Sequence, residues 1–337
     1  MTEIKQQASK ILEPLSGVAT TWALDLGLRL GVFEHLADQP RGATSDEVAA
    51  ALELDPLYTK VLLRSAYAAE VLELDDDRYR LAEHMDTLLL DPDAPAYAAG
   101  AVHTLVALRE TFLDLRTFAR TGEREWWDDF DPEWIEAVAE NGQTYYRRML
   151  NAVVPQLPAV QGALEQGARY LDLACGVCRG PAKVVDAYPR TRVTAVDCDD
   201  YSLITAEREM KERGLGDRFT FVQSYLEDLD LDGGHDLAII NISLHEARDI
   251  ERAVELTHRA LGDGGVFLVS EFPFPEREED TRSVPGRLMC GVQAFEAHID
   301  CQLLPTSRYI ELLSDAGFRD VGAIELTPVH VVVHGTK

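Results

Sequence analysis

His245 and Glu246 lie in the segment NISLHEARD, directly after an apolar run, and His298 follows 53 residues later in FEAHID. An imidazole near its ordinary pKa of about 6.5 is suited to taking a proton from a substrate hydroxyl at neutral pH. Capping of the next helix is the other use of a histidine in that place. Two imidazoles and a carboxylate are also the ligand set of a metal site with open positions, while a histidine such as His298 on a helix is otherwise packed or solvated. A second constellation is the turn YLDLACGVCRG, Tyr170 to Gly180, with Asp197 ending TAVD 21 residues after Gly176. A small-residue turn lets backbone approach a ligand closely, and a carboxylate about 20 residues on accepts the hydroxyls of a ribose. The bland alternative is a tight structural turn with a surface Asp. Cys175 and Cys178 form a CxxC within that turn, with no second pair to make a zinc or redox site of it.

These residues need elements to position them. From Arg169 onward the apolar runs YLDLAC, RVTAVD, FTFVQS, DLAIINI and GVFLVSEF alternate with helical stretches, and VHVVVHG follows near the end. Such alternation predicts a parallel, doubly wound sheet, with ligands at the carboxyl ends of its strands. Before it the pattern is helical. Ala23 to Leu36 has apolar residues at helical spacing, Thr44 or Ser45 caps the helix EVAAALEL, and Asp55-Pro56 opens LYTKVLLRSAYAAEVL. LELDDDRYRLAEH then alternates around an acidic turn, as a small wing hairpin does. Trp126, Trp127, Asp128, Asp129 and Asp131-Pro132 punctuate the next helices, and one helix runs from about Trp134 to Val154. Phe274 to Arg282 reads as a solvated loop. His35, His84, His103, His235, His330 and His334 read as structural.

The chain has 337 residues and a net charge of −27. That charge repels nucleic acid and anionic membranes. It opposes a DNA-binding regulator, since the candidate recognition helix has only Lys60 and Arg64 as cations. No stretch approaches the roughly 20 apolar residues of a membrane span. The N-terminus is polar, and the five cysteines suggest reduced thiols, so a cytoplasmic protein is expected.

The turn and the acidic second strand resemble those of class I S-adenosylmethionine (SAM)-dependent methyltransferases, with Ala174 and Cys178 in place of two glycines. The resemblance implies SAM at Asp172, Ala174, Cys175, Gly176 and Asp197, with Ser224 and Tyr225 flanking the adenine and Asn241 at the end of the fourth strand. The family often has Asp where Ser224 stands. The terminal SDAGFRDVGAIELTPVHVVVHG resembles the helix and antiparallel hairpin that close SAM methyltransferase sheets, and argues against NAD. The N-terminal region is similar to the dimerisation domain of two-domain small-molecule O-methyltransferases. The implied fold is α/β: a winged-helix-like dimerisation domain over 1–105, then a helical linker and a Rossmann-like methyltransferase domain over 106–337, as a homodimer. In O-methyltransferases a histidine in a Leu-His-Asp segment, here His245, is the general base. The site also resembles that of alpha-keto acid C-methyltransferases of nonribosomal peptide precursor biosynthesis. That likeness implies iron or zinc held by His245 and His298, with Glu246 beside the first. A 2-oxo acid would chelate the metal and be methylated at its beta carbon through the enolate. Glu246 or a metal-bound hydroxide would serve as base, and Tyr146, Arg147 and Arg148 would meet the substrate, an arginine gripping its carboxylate. Metal-assisted C-methylation is the expectation, and metal-free O-methylation with His245 as base is its rival.

Overall fold

The computed structural model describes residues 4–124, apart from 93 and 95, and 132–337, with the side chains of 109–111, 133, 137 and 140 left aside. Trp126, Trp127, Asp128, Asp129 and Asp131 therefore lie outside the described residues. The chain divides into two compact units, Met1–Arg109 and Glu110–Lys337.

In the first unit helices α1 (Ile4–Arg29), α2 (Val32–Ala37), α3 (Ser45–Ala51) and α4 (Pro56–Ala68) precede a hairpin of β1 (Leu72–Asp75) and β2 (Arg78–Leu81), then α5 (Met85–Leu90) and α6 (Ala99–Ala107). This is the helix, helix, helix, wing order expected. The expected helix from Ala23 to Leu36 is broken in two, because Gly31 takes a left-handed conformation, φ 68°. Thr44, not Ser45, caps α3: its hydroxyl accepts from Glu47 N–H while the Glu47 carboxylate accepts from Thr44 N–H. The core gathers Val32, Phe33, Leu36, Val48, Leu63 and Leu72. A side chain on Gly27 would meet the Phe33 ring at 2.4 Å, which lets α1 and α2 pack closely.

The second unit begins with α7 (Arg109–Thr121) and α8 (Pro132–Arg148). The long helix expected to reach Val154 stays α-helical only to Arg148, then widens into a π turn at Met149–Val153. After α9 (Pro158–Gln166) come β3 (Arg169–Leu173), α10 (Arg179–Ala187), β4 (Arg192–Asp197), α11 (Asp200–Glu212), β5 (Phe219–Gln223), β6 (His235–Asn241), α12 (Ile250–Ala260) and β7 (Leu261–Glu271). Then α13 (Val284–Glu296), α14 (Thr306–Asp315), β8 (Arg319–Thr327) and β9 (His330–Thr336) end the chain. Within Phe274 to Arg282, read as a loop, a short 3-10 turn spans Glu278–Arg282.

The sheet order is β5-β4-β3-β6-β7-β9-β8. The first five strands are parallel, and the β8–β9 hairpin joins antiparallel through β9 to β7. Chain order reverses between β3 and β6, so the crevice beyond their carboxyl ends is the switch point where such folds take ligands. The strands are apolar on both faces because helices cover both, as parallel sheets require.

Candidate active site

The turn after β3 holds three alternate residues in the left-handed region of backbone space. Ala174, Gly176 and Cys178 have φ of 53°, 52° and 61°. Only glycine adopts that region freely, so the two side-chain-bearing positions cost stability of roughly 1–3 kcal/mol each. The turn is tied to β4: Cys175 N–H donates to Val196 O at 2.9 Å, and Gly176 N–H to Asp197 Oδ2 at 2.7 Å. Asp197 Oδ1 accepts Asp199 N–H at 3.0 Å. Burial raises the Asp197 carboxyl to about 6, against the pull of those backbone donors.

Asp172 is wholly buried, and its oxygens accept the hydroxyls of Tyr146 (3.0 and 2.8 Å) and Tyr170. Burial pushes its carboxyl well above the usual range. Asp172 thus holds the turn's base. Tyr146, expected against the substrate, reaches across to it from α8, and its ring excludes any side chain from Gly180, where a Cβ would come within 2.2 Å. Arg179, at the start of α10, binds Glu209 at 2.6 and 3.0 Å and Glu136 of α8 at 2.6 Å. After β5, Ser224 N–H donates to Asp197 O, and the Arg248 guanidinium covers the Tyr225 ring at 4.4 Å. Arg147 and Arg148 end α8 half-buried, Arg148 lying 5.7 Å from the Tyr145 ring centroid.

Beyond β6, His245 sits in a 3-10 turn with its side chain fully buried between two carboxylates. Nδ1 lies 2.8 Å from Glu271 Oε2, and Nε2 lies 3.3 Å from Glu296 Oε2. Glu271, the last residue of β7, also accepts the backbone N–H of Leu244 at 2.8 Å, so the turn and the ring are fixed by one side chain. Burial works to lower the His245 pKa, but the charges of Glu271 and Glu296 prevail and hold it well above 6.5. With Nδ1 held by Glu271, Nε2 is the nitrogen left to face a substrate.

The structure brings His245, Glu246 and Glu296 together: one ligand atom from each lies within 4.8 Å of the others. His298, expected as the partner of His245, stands two residues past Glu296 beyond the end of α13. Its ring packs on Phe118 at 4.3 Å and on Phe295 at 6.2 Å, and Trp134 meets Phe295 at 5.3 Å. Sequence reasoning missed Glu271 and Glu296. The signal for the first is an acidic residue ending the apolar run GVFLVSE, buried at the strand's carboxyl end.

Residues 171–265 match the family described as a methyltransferase domain, and residues 12–91 match the O-methyltransferase dimerisation domain. The chain carries a methyltransferase domain behind an O-methyltransferase dimerisation domain. The methyltransferase match contains the strained turn, Asp197 and His245. The chain is 26% identical over 136 residues to a sterol 24-C-methyltransferase of Eremothecium gossypii, which covers 40% of this chain and 36% of that protein. It thus spans about a third of that relative's length. An O-methyltransferase family protein from Burkholderia thailandensis superposes with a TM-score of 0.70 at 18% identity, over 100% of this chain and 98% of the other. Human N-acetylserotonin methyltransferase, solved in complex with SAM, gives a TM-score of 0.66 at 20% identity, over 100% and 99%. These likenesses establish the Rossmann-like methyltransferase fold with its helical dimerisation domain.

Proposed function

We propose that this protein transfers the methyl group of SAM to a hydroxyl oxygen of a small molecule, with His245 as general base. The observation that carries the reading is the buried His245, bracketed by Glu271 and Glu296 at the carboxyl end of the β6 side of the crevice. Glu271 fixes the imidazole with Nδ1 toward itself. In the neutral form of the ring, which the raised His245 pKa makes more abundant as pH rises, Nε2 beside Glu296 accepts the substrate's hydroxyl proton as the oxygen attacks the methyl carbon in line. Turnover should therefore rise with pH through that pKa. The carbon–sulfur bond breaks, S-adenosylhomocysteine leaves, and the proton stays on the His245–Glu296 pair. The strained turn and Asp197 hold the cofactor, and holding two reactants in register supplies the proximity contribution. Phe118, Trp134, Phe295 and the His298 ring give an apolar wall on the α13 side.

A second reading rests on the same cluster. His245 Nε2 and Glu296 Oε2 are buried and face each other at 3.3 Å without well-formed hydrogen-bond geometry, and a nitrogen with two carboxylates suits iron or zinc. His245, Glu246 and Glu296 would hold the ion; bound, it would act as a Lewis acid toward a chelating 2-oxo acid destined for methylation at carbon. In that case Arg147 and Arg148 remain candidates for the substrate carboxylate.

The test is metal content and methyl transfer, to a panel of phenols and of 2-oxo acids, for the purified protein and for His245→Ala, Glu296→Gln and His298→Ala. O-methylation predicts activity on a hydroxyl without bound metal, lost by about 10²- to 10⁴-fold in His245→Ala. Stoichiometric iron or zinc, lost together with 2-oxo acid methylation in both His245→Ala and Glu296→Gln, would replace it with the second reading.

A further inference from the structure

The proposed reaction leaves one buried polar chain unused. His330, the first residue of β9, is 0% exposed, and its Nε2 lies 2.8 Å from Ser270 Oγ. Ser270, also 0% exposed, donates to Asn241 Oδ1 at 2.8 Å. Asn241 and Ser270 are partners in the β6–β7 register, so the two side chains stand on the same face of adjacent strands. Among the described residues His330 Nδ1 has no hydrogen-bond partner.

The direction of the chain follows from the Ser270 hydroxyl donating to Asn241 Oδ1, and the balance of donors and acceptors at His330 agrees with it. Burial lowers the His330 pKa to about 3, so the ring is neutral and carries one N–H. In one arrangement Nε2–H donates to Ser270, Ser270 donates to Asn241 Oδ1, and Nδ1 is left as a bare acceptor. In the other the Asn241 amide is turned, its NH2 donates to Ser270, Ser270 donates to Nε2, and an Nδ1–H is left buried with no acceptor. Orphaned buried N–H groups are rarer than under-used acceptors. The first arrangement therefore holds, and the NH2 of Asn241 points away from Ser270. Its Nδ2 faces α8 at Gly142, where an added Cβ would come to 4.0 Å, ordinary contact distance, so the absence of a side chain at Gly142 keeps the amide uncrowded on that side. The next residue, Ile242, has φ 54°, an outlier for a β-branched side chain, and its N–H is held by Ser270 O at 2.7 Å. Backbone strain and side-chain hydrogen bonds thus fix the same residue. Asp197 places the ribose at β4. β6 lies across β3 from β4, so with the ribose at Asp197 the part of the cofactor beyond the ribose would lie by the carboxyl end of β6, where Asn241 stands.

We propose that His330 and Ser270 are positioning residues, which lock the Asn241 amide with its NH2 toward the carboxylate of the bound cofactor. This rests on the SAM reading above. The test is a double-mutant cycle on S-adenosylhomocysteine affinity, measured by calorimetry on the full-length protein. Ser270→Ala should weaken binding roughly threefold to tenfold, the worth of one hydrogen bond. It should have no further effect in an Asn241→Ala background, because its action passes through Asn241. His330→Leu should reproduce the loss and His330→Gln, which retains an N–H donor, should recover part of it. This second pair carries the test if Ser270→Ala does not fold. Unchanged affinity in Ser270→Ala and His330→Leu overturns the inference, as does an equal loss in the Asn241→Ala background, which would mark a general structural effect. A wild-type protein that does not bind S-adenosylhomocysteine overturns the SAM reading itself, whereas wild-type binding with additive losses overturns only the positioning chain.

Discussion

At the scale of single residues, burial sets the chemistry, and Asp197 shows it most directly. Its carboxyl is raised from 3.8 to about 6 by desolvation. If Asp197 accepts the ribose hydroxyls of the cofactor, affinity should be level above pH 7 and fall as pH drops through about 6. Stability should run the other way. The folded pKa lies above the unfolded one, so the native state binds the proton more tightly and Asp197's contribution to stability declines as pH rises from about 4 to about 6. Calorimetric titrations with S-adenosylhomocysteine at several pH values check the first effect, and Asp197→Asn should flatten the profile. A wild-type profile that stays level down to pH 5 would refute the assignment. Asp197 and His245 were legible in the sequence because each lies in a recognisable local segment, Asp197 ending β4 and His245 in the short turn after β6. Glu271 and Glu296 were not, since their meaning comes from packing 26 and 51 residues away from His245. His298 is singled out only by the resemblance, since a histidine on a helix reads from the residues alone as packed or solvated. In the structure α13 ends at Glu296, so the carboxylate faces His245 while His298 packs among aromatic rings.

At the scale of elements, the alternation of apolar runs and helices specified the parallel sheet, because strand burial on both faces leaves a strong mark in composition, while the closing hairpin was legible only through the resemblance. The breaks were harder to read. Gly31 is one position in an otherwise regular helical pattern, and the π turn at Met149–Val153 has no compositional signature at all. What holds α8 in place is also non-local. Arg179 joins Glu136 of α8 to Glu209 of α11, and the Tyr201 hydroxyl donates to the other Glu136 oxygen at 3.2 Å. The Arg179 side chain is 26% exposed, so solvent screens these pairs and their joint worth is about 1 kcal/mol. Arg179→Met should lower the free energy of unfolding by about that amount at low salt and by much less in 1 M NaCl, where the Debye length is about 3 Å. Urea titrations at both ionic strengths check this; a loss independent of salt would mean that Arg179 acts through packing of its stem.

At the scale of the whole molecule, shape and charge bear on assembly. No helix among the described residues is long and apolar enough to cross a membrane. Yet α1 exposes Ile11 (65%), Leu15 (61%), Val18 (48%), Trp22 (58%) and Leu26 (50%). Their spacings of four, three, four and four residues put them on one stripe of the helix. An apolar stripe of that length, within a region matching the O-methyltransferase dimerisation domain, is fitted to bury itself against a second copy. Charge works against that union. Each copy carries −27, so association brings like charges together, and the apolar contact must outweigh their repulsion. Two consequences follow for a homodimer. Light scattering at micromolar concentration should give twice the chain mass, and the dissociation constant should fall as ionic strength rises, since salt screens the repulsion and leaves the apolar contact intact. Replacing Leu15 and Trp22 with glutamate should yield a folded monomer, because it puts two further negative charges in the stripe. A wild-type monomer, or a dimer indifferent to both the salt and the double substitution, would show that this stripe is not where two copies meet.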